Sequence, residues 1–125
     1  MPPSQPNASG SSAPADTPYG NWDSFPWEEF PEYAGSKSLI YRSKDGTVVA
    51  GAARESGKAT LTYPCHEFFY VTDGSVKLSI HHGETFTLKK GDHIFLHKGT
   101  TVDFEFGEDF ANVACFIDTE KVTLI

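Results

Sequence analysis

From residue 38 onward the chain is a succession of short β-branched and aromatic segments cut by glycine turns, and no window carries helical periodicity. The candidate strands are Leu39–Ser43, Thr47–Arg54, Ala59–Tyr63, Glu67–Thr72, Val76–His81, Glu84–Lys89, His93–Leu96, Thr101–Phe106 and Asn112–Asp118. Between them stand Lys44-Asp45-Gly46, Asp73-Gly74, His82-Gly83, Lys90-Gly91-Asp92 and Gly107-Glu108-Asp109, the residue types that tight turns favour. Strands recurring about every nine to twelve residues predict an all-β sandwich or barrel.

A chain of 125 residues is long enough for one buried core and not for two. Its ten Phe suit a barrel interior filled by large side chains. No apolar run reaches the roughly eighteen residues of a membrane span, and the first residues lack the basic and apolar regions of a secretory signal. A formal charge of −7, with no basic cluster beyond Lys89-Lys90, argues against nucleic acid or an anionic membrane as partner. Cys65 and Cys115 stand far apart outside any CxxC pair, which favours reduced thiols in a cytoplasmic protein.

Residues 1–18 are mostly Pro, Ser, Ala, Gly and Asn and offer little to bury, so a disordered arm is expected there. Composition shifts at Tyr19, where Trp22, Phe25, Trp27, Phe30 and Tyr33 follow at short intervals between prolines. Pro26 and Pro31 break a regular helix or strand. Residues 19–35 therefore read as an extended aromatic clasp, laid on the outside of the barrel or on a neighbouring subunit of a homodimer, ahead of a β domain at 36–125.

Within that domain, GKATLTYPCHEFFYVTDGSV and KKGDHIFLHKGTTVDFEF resemble the two sequence motifs of the cupin family, and most closely its small members related to ethanolamine-utilisation and ureidoglycine-aminohydrolase-like proteins. Glu67 and Gly74 keep the spacing of the first motif, and Gly91 and Gly99 that of the second. The resemblance implies a double-stranded β-helix, the cupin jelly-roll barrel, carrying an extended N-terminal arm. It also places the family's metal-binding histidines on Leu61 and Tyr63, or on Thr60 and Thr62, and on Val102, while His97 replaces a proline. Of that ligand set only the carboxylate, Glu67, remains, so no metal cofactor is expected.

Alternation along the strand puts Glu67, Phe69 and Val71 on the inner face and Phe68 and Tyr70 on the other. A carboxyl in such a cup has its pKa raised by desolvation, which suits proton transfer. Tyr63 and His97 are its expected catalytic partners, the latter at the barrel mouth. Cys65, Phe69, Val102 and Phe104 are expected to line a mostly apolar substrate pocket for a small molecule. His81 and His82 read as turn residues, and His93 as outward-facing. His66 points away from Glu67.

The pattern supports a small-molecule-binding cupin, with a metal-independent isomerase, lyase or cyclase using Glu67 as acid/base as the sharpest form. A metallo-cupin with a rearranged ligand set, built from Glu67, His97 and Tyr63, and a ligand-binding module without catalysis are the alternatives.

Overall fold

A computed structural model describes residues 18–124, so most of the expected N-terminal arm lies outside the described residues. The described residues are all-β, with ten strands and two single-turn 3₁₀ helices, Trp22–Ser24 and Pro31–Tyr33. The strands are β1 (Glu28–Phe30), β2 (Gly35–Arg42), β3 (Val48–Arg54), β4 (Gly57–Thr62), β5 (His66–Asp73), β6 (Ser75–Ile80), β7 (Thr85–Lys89), β8 (His93–Leu96), β9 (Thr101–Phe106) and β10 (Ala111–Ile117). Every strand expected from the sequence forms, with ends moved by a few residues. β1 is additional, a three-residue strand fitted between the two prolines and paired with β2.

Two antiparallel sheets result, one of six strands in the order β1-β2-β3-β10-β5-β8 and one of four in the order β4-β9-β6-β7. They face each other as a jelly roll. The burial pattern of β5 follows its pleat, with Glu67, Phe69 and Val71 buried and Phe68 and Tyr70 exposed. The main core lies between the sheets, where Leu78, Val71, Val76 and Val102 are almost wholly excluded from solvent. A second cluster of Val49, Cys65, Phe116 and Val122 is closed by the C-terminal tail, which the Val122 amide ties to the Gly46 carbonyl at 2.8 Å.

The clasp lies on its own barrel. Rings of Trp22, Phe25 and Trp27 meet edge to face or tilted at 5.4–5.5 Å, and the Arg54 guanidinium sits 4.4 Å from the Trp27 ring centre. The Ser56 amide donates to the Tyr33 carbonyl at 2.9 Å and the Ser56 hydroxyl to the Ala34 carbonyl at 2.7 Å. These contacts deliver Phe30 and Tyr33 to one end of the space between the sheets. Among the described residues no helix is long and apolar enough to cross a membrane.

Candidate functional site

The sheets enclose a cavity of about 50 Å³, room for a molecule of a few non-hydrogen atoms given that one water centre takes roughly 10–15 Å³. Glu67 reaches it from β5, between its ladder partners Leu96 on β8 and Phe116 on β10. Tyr63 follows the last residue of β4 and is fixed by two backbone bonds, its amide to the Thr100 carbonyl at 2.9 Å and its carbonyl accepting from the Gly99 amide at 2.8 Å. Gly99 holds φ at +91° to make that turn, a conformation side chains disfavour. The Tyr63 hydroxyl then donates to Glu67 Oε1 at 2.5 Å.

Glu67 is 8% exposed, and desolvation pushes its pKa up to about 8, against the lowering effect of the Tyr63 bond. It therefore holds a proton at neutral pH and can give it up within the range where general acids and bases work best. Burial and the neighbouring Glu67 charge push the Tyr63 phenol far above its ordinary range, so this group stays a donor.

A second acid shares the cavity. Glu55 follows the end of β3, and its Oε1 accepts a bond from Asn112 Nδ2 at 2.9 Å. Burial raises its pKa to about 7, with the Asn112 bond acting the other way. Tyr33 also lines the wall, its phenol raised to about 12 by burial first and by Glu55, Glu67 and Glu32 after that. Aromatic rings complete the enclosure. Phe104 and Phe106 stack at 5.5 Å and 6°, Phe106 meets Tyr33 edge-on at 6.2 Å, and Phe110 tilts against Phe106 at 5.4 Å.

Of the residues picked out from the sequence, Glu67, Tyr63, Phe69 and Phe104 are brought together at this cavity. His97 is not. Leu96 takes the inward position opposite Glu67, so alternation sends His97 outside, where its exposed ring lies 5.1 Å from Phe95 and 5.9 Å from His66. Val102 is fully buried in the solid part of the core and Cys65 in the second cluster, so neither walls the cavity. Burial, with Glu67 as a lesser cause, raises the Cys65 thiol to about 11, which leaves it a poor nucleophile. Thr60 and Thr62 lie on the exposed side of β4, bonded to Asp103 at 2.6 Å and Thr101 at 2.7 Å.

Glu55, Asn112 and Tyr33 were not foreseen. Glu55 had a signal: alternation from Val49 through Gly51 and Ala53 reaches it one residue past Arg54. Tyr33 had none, because its place depends on the clasp folding back.

The donors also bear on metal chemistry. A transition-metal site asks for three or more ligands, and among the described residues no group of three His, Cys, Asp or Glu is placed to hold an ion. Two carboxyls, two phenols and aromatic rings do not fit the imidazole-rich set of a metallo-cupin.

Two antiparallel sheets closed over a cavity with a single first-motif acid define a cupin. A family model described as EutQ-like cupin domain matches residues 42–112, and the chain belongs to that family. Among solved structures, it is similar to a protein described as ethanolamine utilization protein Q from Salmonella typhimurium LT2, at 18% identity and a TM-score of 0.71, covering 86% of this chain and 90% of that one. An RmlC-like cupin from Shewanella frigidimarina NCIMB 400 matches at 11% identity and a TM-score of 0.65, covering 79% and 88%. KdgF from Halomonas sp. matches at 17% and 0.61, covering 78% and 91%. No curated protein sequence matches the chain. At these identities the structural neighbours speak for the fold alone.

Proposed function

We propose that this protein binds a small organic molecule in the barrel cavity and that Glu67, oriented by Tyr63, moves a proton to or from it, an isomerase, lyase or cyclase type of chemistry. The observation that carries this reading is the buried Glu67 carboxyl at the cavity wall, bonded to Tyr63 and raised to about 8. A carboxylic acid kept near its ionisation point beside an enclosed apolar space is built for proton exchange with whatever enters. Desolvation strengthens that exchange. A sequence with no basic cluster beyond Lys89-Lys90 is in keeping with a small neutral or cationic ligand in the cytoplasm.

Incubating the protein with panels of small carbonyl, hydroxyl and amino compounds in D₂O tests it. Deuterium is expected to enter one class of compound with the parent protein and at least a hundredfold more slowly with Glu67→Gln, the usual weight of a general acid or base. Equal incorporation by both proteins would remove Glu67 from the role.

The homodimer belongs to the same proposal, on a different surface from the clasp. Phe68, Tyr70, Phe95 and Ile117 are 39–49% exposed and share the outer face of β5, β8 and β10, in register with Val113, Cys115 and His93. These outward positions carry no Asp or Glu in a chain of charge −7, so two copies meet there without acid facing acid. Patches of this kind mark interfaces more often than free surface. Light scattering is expected to give twice the chain mass for the parent and the single-chain mass after Phe68→Glu with Phe95→Glu; a parent protein of single-chain mass at tens of micromolar would refute the dimer.

A further inference from the structure

Among the described residues the cavity wall holds two acids and no base. Neither Lys, Arg nor His lines it among the described residues; Arg54 lies over Trp27, and Lys37 Nζ comes no nearer than a position 4.8 Å from the ring centre of Phe30, a ring that itself walls the cavity. Each acid also spends only half its capacity. Tyr63 bonds Oε1 of Glu67 and Asn112 bonds Oε1 of Glu55, while Oε2 of each carries no hydrogen bond among the described residues. Among the described residues the fully buried polar atoms without a partner are Ser38 Oγ and Thr72 Oγ1 and not these oxygens, so each Oε2 keeps access to the cavity space and can take a donor from a ligand.

Two carboxyls within one low-dielectric enclosure also oppose each other's ionisation, and Glu55 raises Glu67. A positive ligand removes that conflict, because it favours the charged form of both acids at once. The rest of the wall suits the same guest: Tyr33, Tyr63, Phe104, Phe106 and Phe110 supply aromatic rings, whose faces attract a desolvated cation. The small volume excludes a large one. A compact metal ion finds too few donors among the described residues, whereas an alkylammonium group brings three N–H donors for oxygen acceptors and a short carbon stem for the rings.

We propose that the cavity is a receptor for a short alkylammonium ion, whose N–H groups bridge the free Oε2 oxygens of Glu55 and Glu67 while its carbon stem lies among Phe104, Phe106 and Phe110. This rests on the reading that the Glu67 cavity is the ligand site, and it names the ligand class. Binding draws both carboxyls to their ionised form, so complex formation at neutral pH releases protons to the solvent. Tyr33 and Tyr63 face the same space and remain protonated as donors.

Calorimetry on the full chain with ethylammonium chloride, and with ethanol as the neutral match, tests the assignment. Ethylammonium is expected to bind, to gain at least tenfold in affinity from pH 6 to pH 9, and to give heats at pH 7 that vary with the buffer's ionisation enthalpy. Glu55→Gln and Glu67→Gln are each expected to lose at least tenfold in affinity. The parent's proton release and pH dependence stand as evidence should either variant fold poorly. Binding of ethanol or acetone at the cavity, followed through the ring resonances of Phe104 and Phe106, without binding of ethylammonium would overturn the cation and keep the ligand site. Binding of Mg²⁺ or K⁺ in place of ethylammonium overturns it as well. No binding by any probe, together with no deuterium exchange, overturns both.

Discussion

Raising the pH from 5 to 8 lowers the unfolding free energy of this protein, and Glu67→Gln removes most of that decline. In the unfolded chain Glu67 ionises near 4.5 and in the fold near 8. The folded state therefore holds the proton more tightly across that interval, and stability is greatest below pH 4.5 and falls as the pH rises through 8. The slope approaches about 1.4 kcal/mol per pH unit, so several kcal/mol are lost across the window. Glu55, raised to about 7, acts with the same sign over a shorter interval. Asp45, Asp103 and Asp118 sit below their ordinary values through hydrogen bonds from Thr47, Thr60 and Lys98, and their opposite contribution is confined to more acid solution. Glutamine keeps the volume and still accepts the Tyr63 bond, so the variant is expected to be more stable than the parent at pH 9. Urea midpoints measured between pH 5 and 9 check this. A parent whose midpoint stays level or rises over that range would contradict the burial of an ionisable Glu67.

Gly35→Ala is expected to lift the clasp from the barrel and leave the sheets standing. A Cβ at Gly35 would come 1.7 Å from the Arg54 carbonyl oxygen, a backbone atom that cannot swing aside. The β1–β2 pairing must then shift, at a cost of about 3 kcal/mol or more, and with it the bonds from Ser56 to Tyr33 and Ala34. Both tryptophans of the chain, Trp22 and Trp27, lie in the clasp, so their fluorescence reports on this segment and nothing else. The variant is expected to show red-shifted, quencher-accessible emission with unchanged far-ultraviolet dichroism. Because Phe30 and Tyr33 wall the cavity, ligand binding should weaken in step. Parent-like emission would mean that Gly35 is not the pinch point.

The strands were legible because each carries its burial in its alternation: β5 reads directly as inward Glu67, Phe69 and Val71 against outward Phe68 and Tyr70. The motif spacing of Glu67, Gly74, Gly91 and Gly99 reached the same barrel by another route. The site was legible only in its half built on β5 and the end of β4. Motif register says only where His97 stands along the chain; the pleat, which puts Leu96 inside, decides where it points. Glu55 sat one position past the expected end of its strand and so outside the alternation argument. Phe30 and Tyr33 depend on a segment between prolines whose path is set by contacts to Arg54 and Ser56, and no local pattern announces those. The fold follows from short-range periodicity, whereas the cavity is assembled from stretches of chain far apart in sequence, from Phe30 to Leu124.

Proton transfer at this cavity depends on the ionisation of one side chain, Glu67, which is directly observable. With ¹³C in the glutamate carboxyls and Glu67→Gln to assign the signal, the Glu67 resonance followed from pH 4 to 10 should titrate with a midpoint near 8. A midpoint near the ordinary 4.5 would show an exposed, solvated acid and would contradict the proton-transfer role built on it.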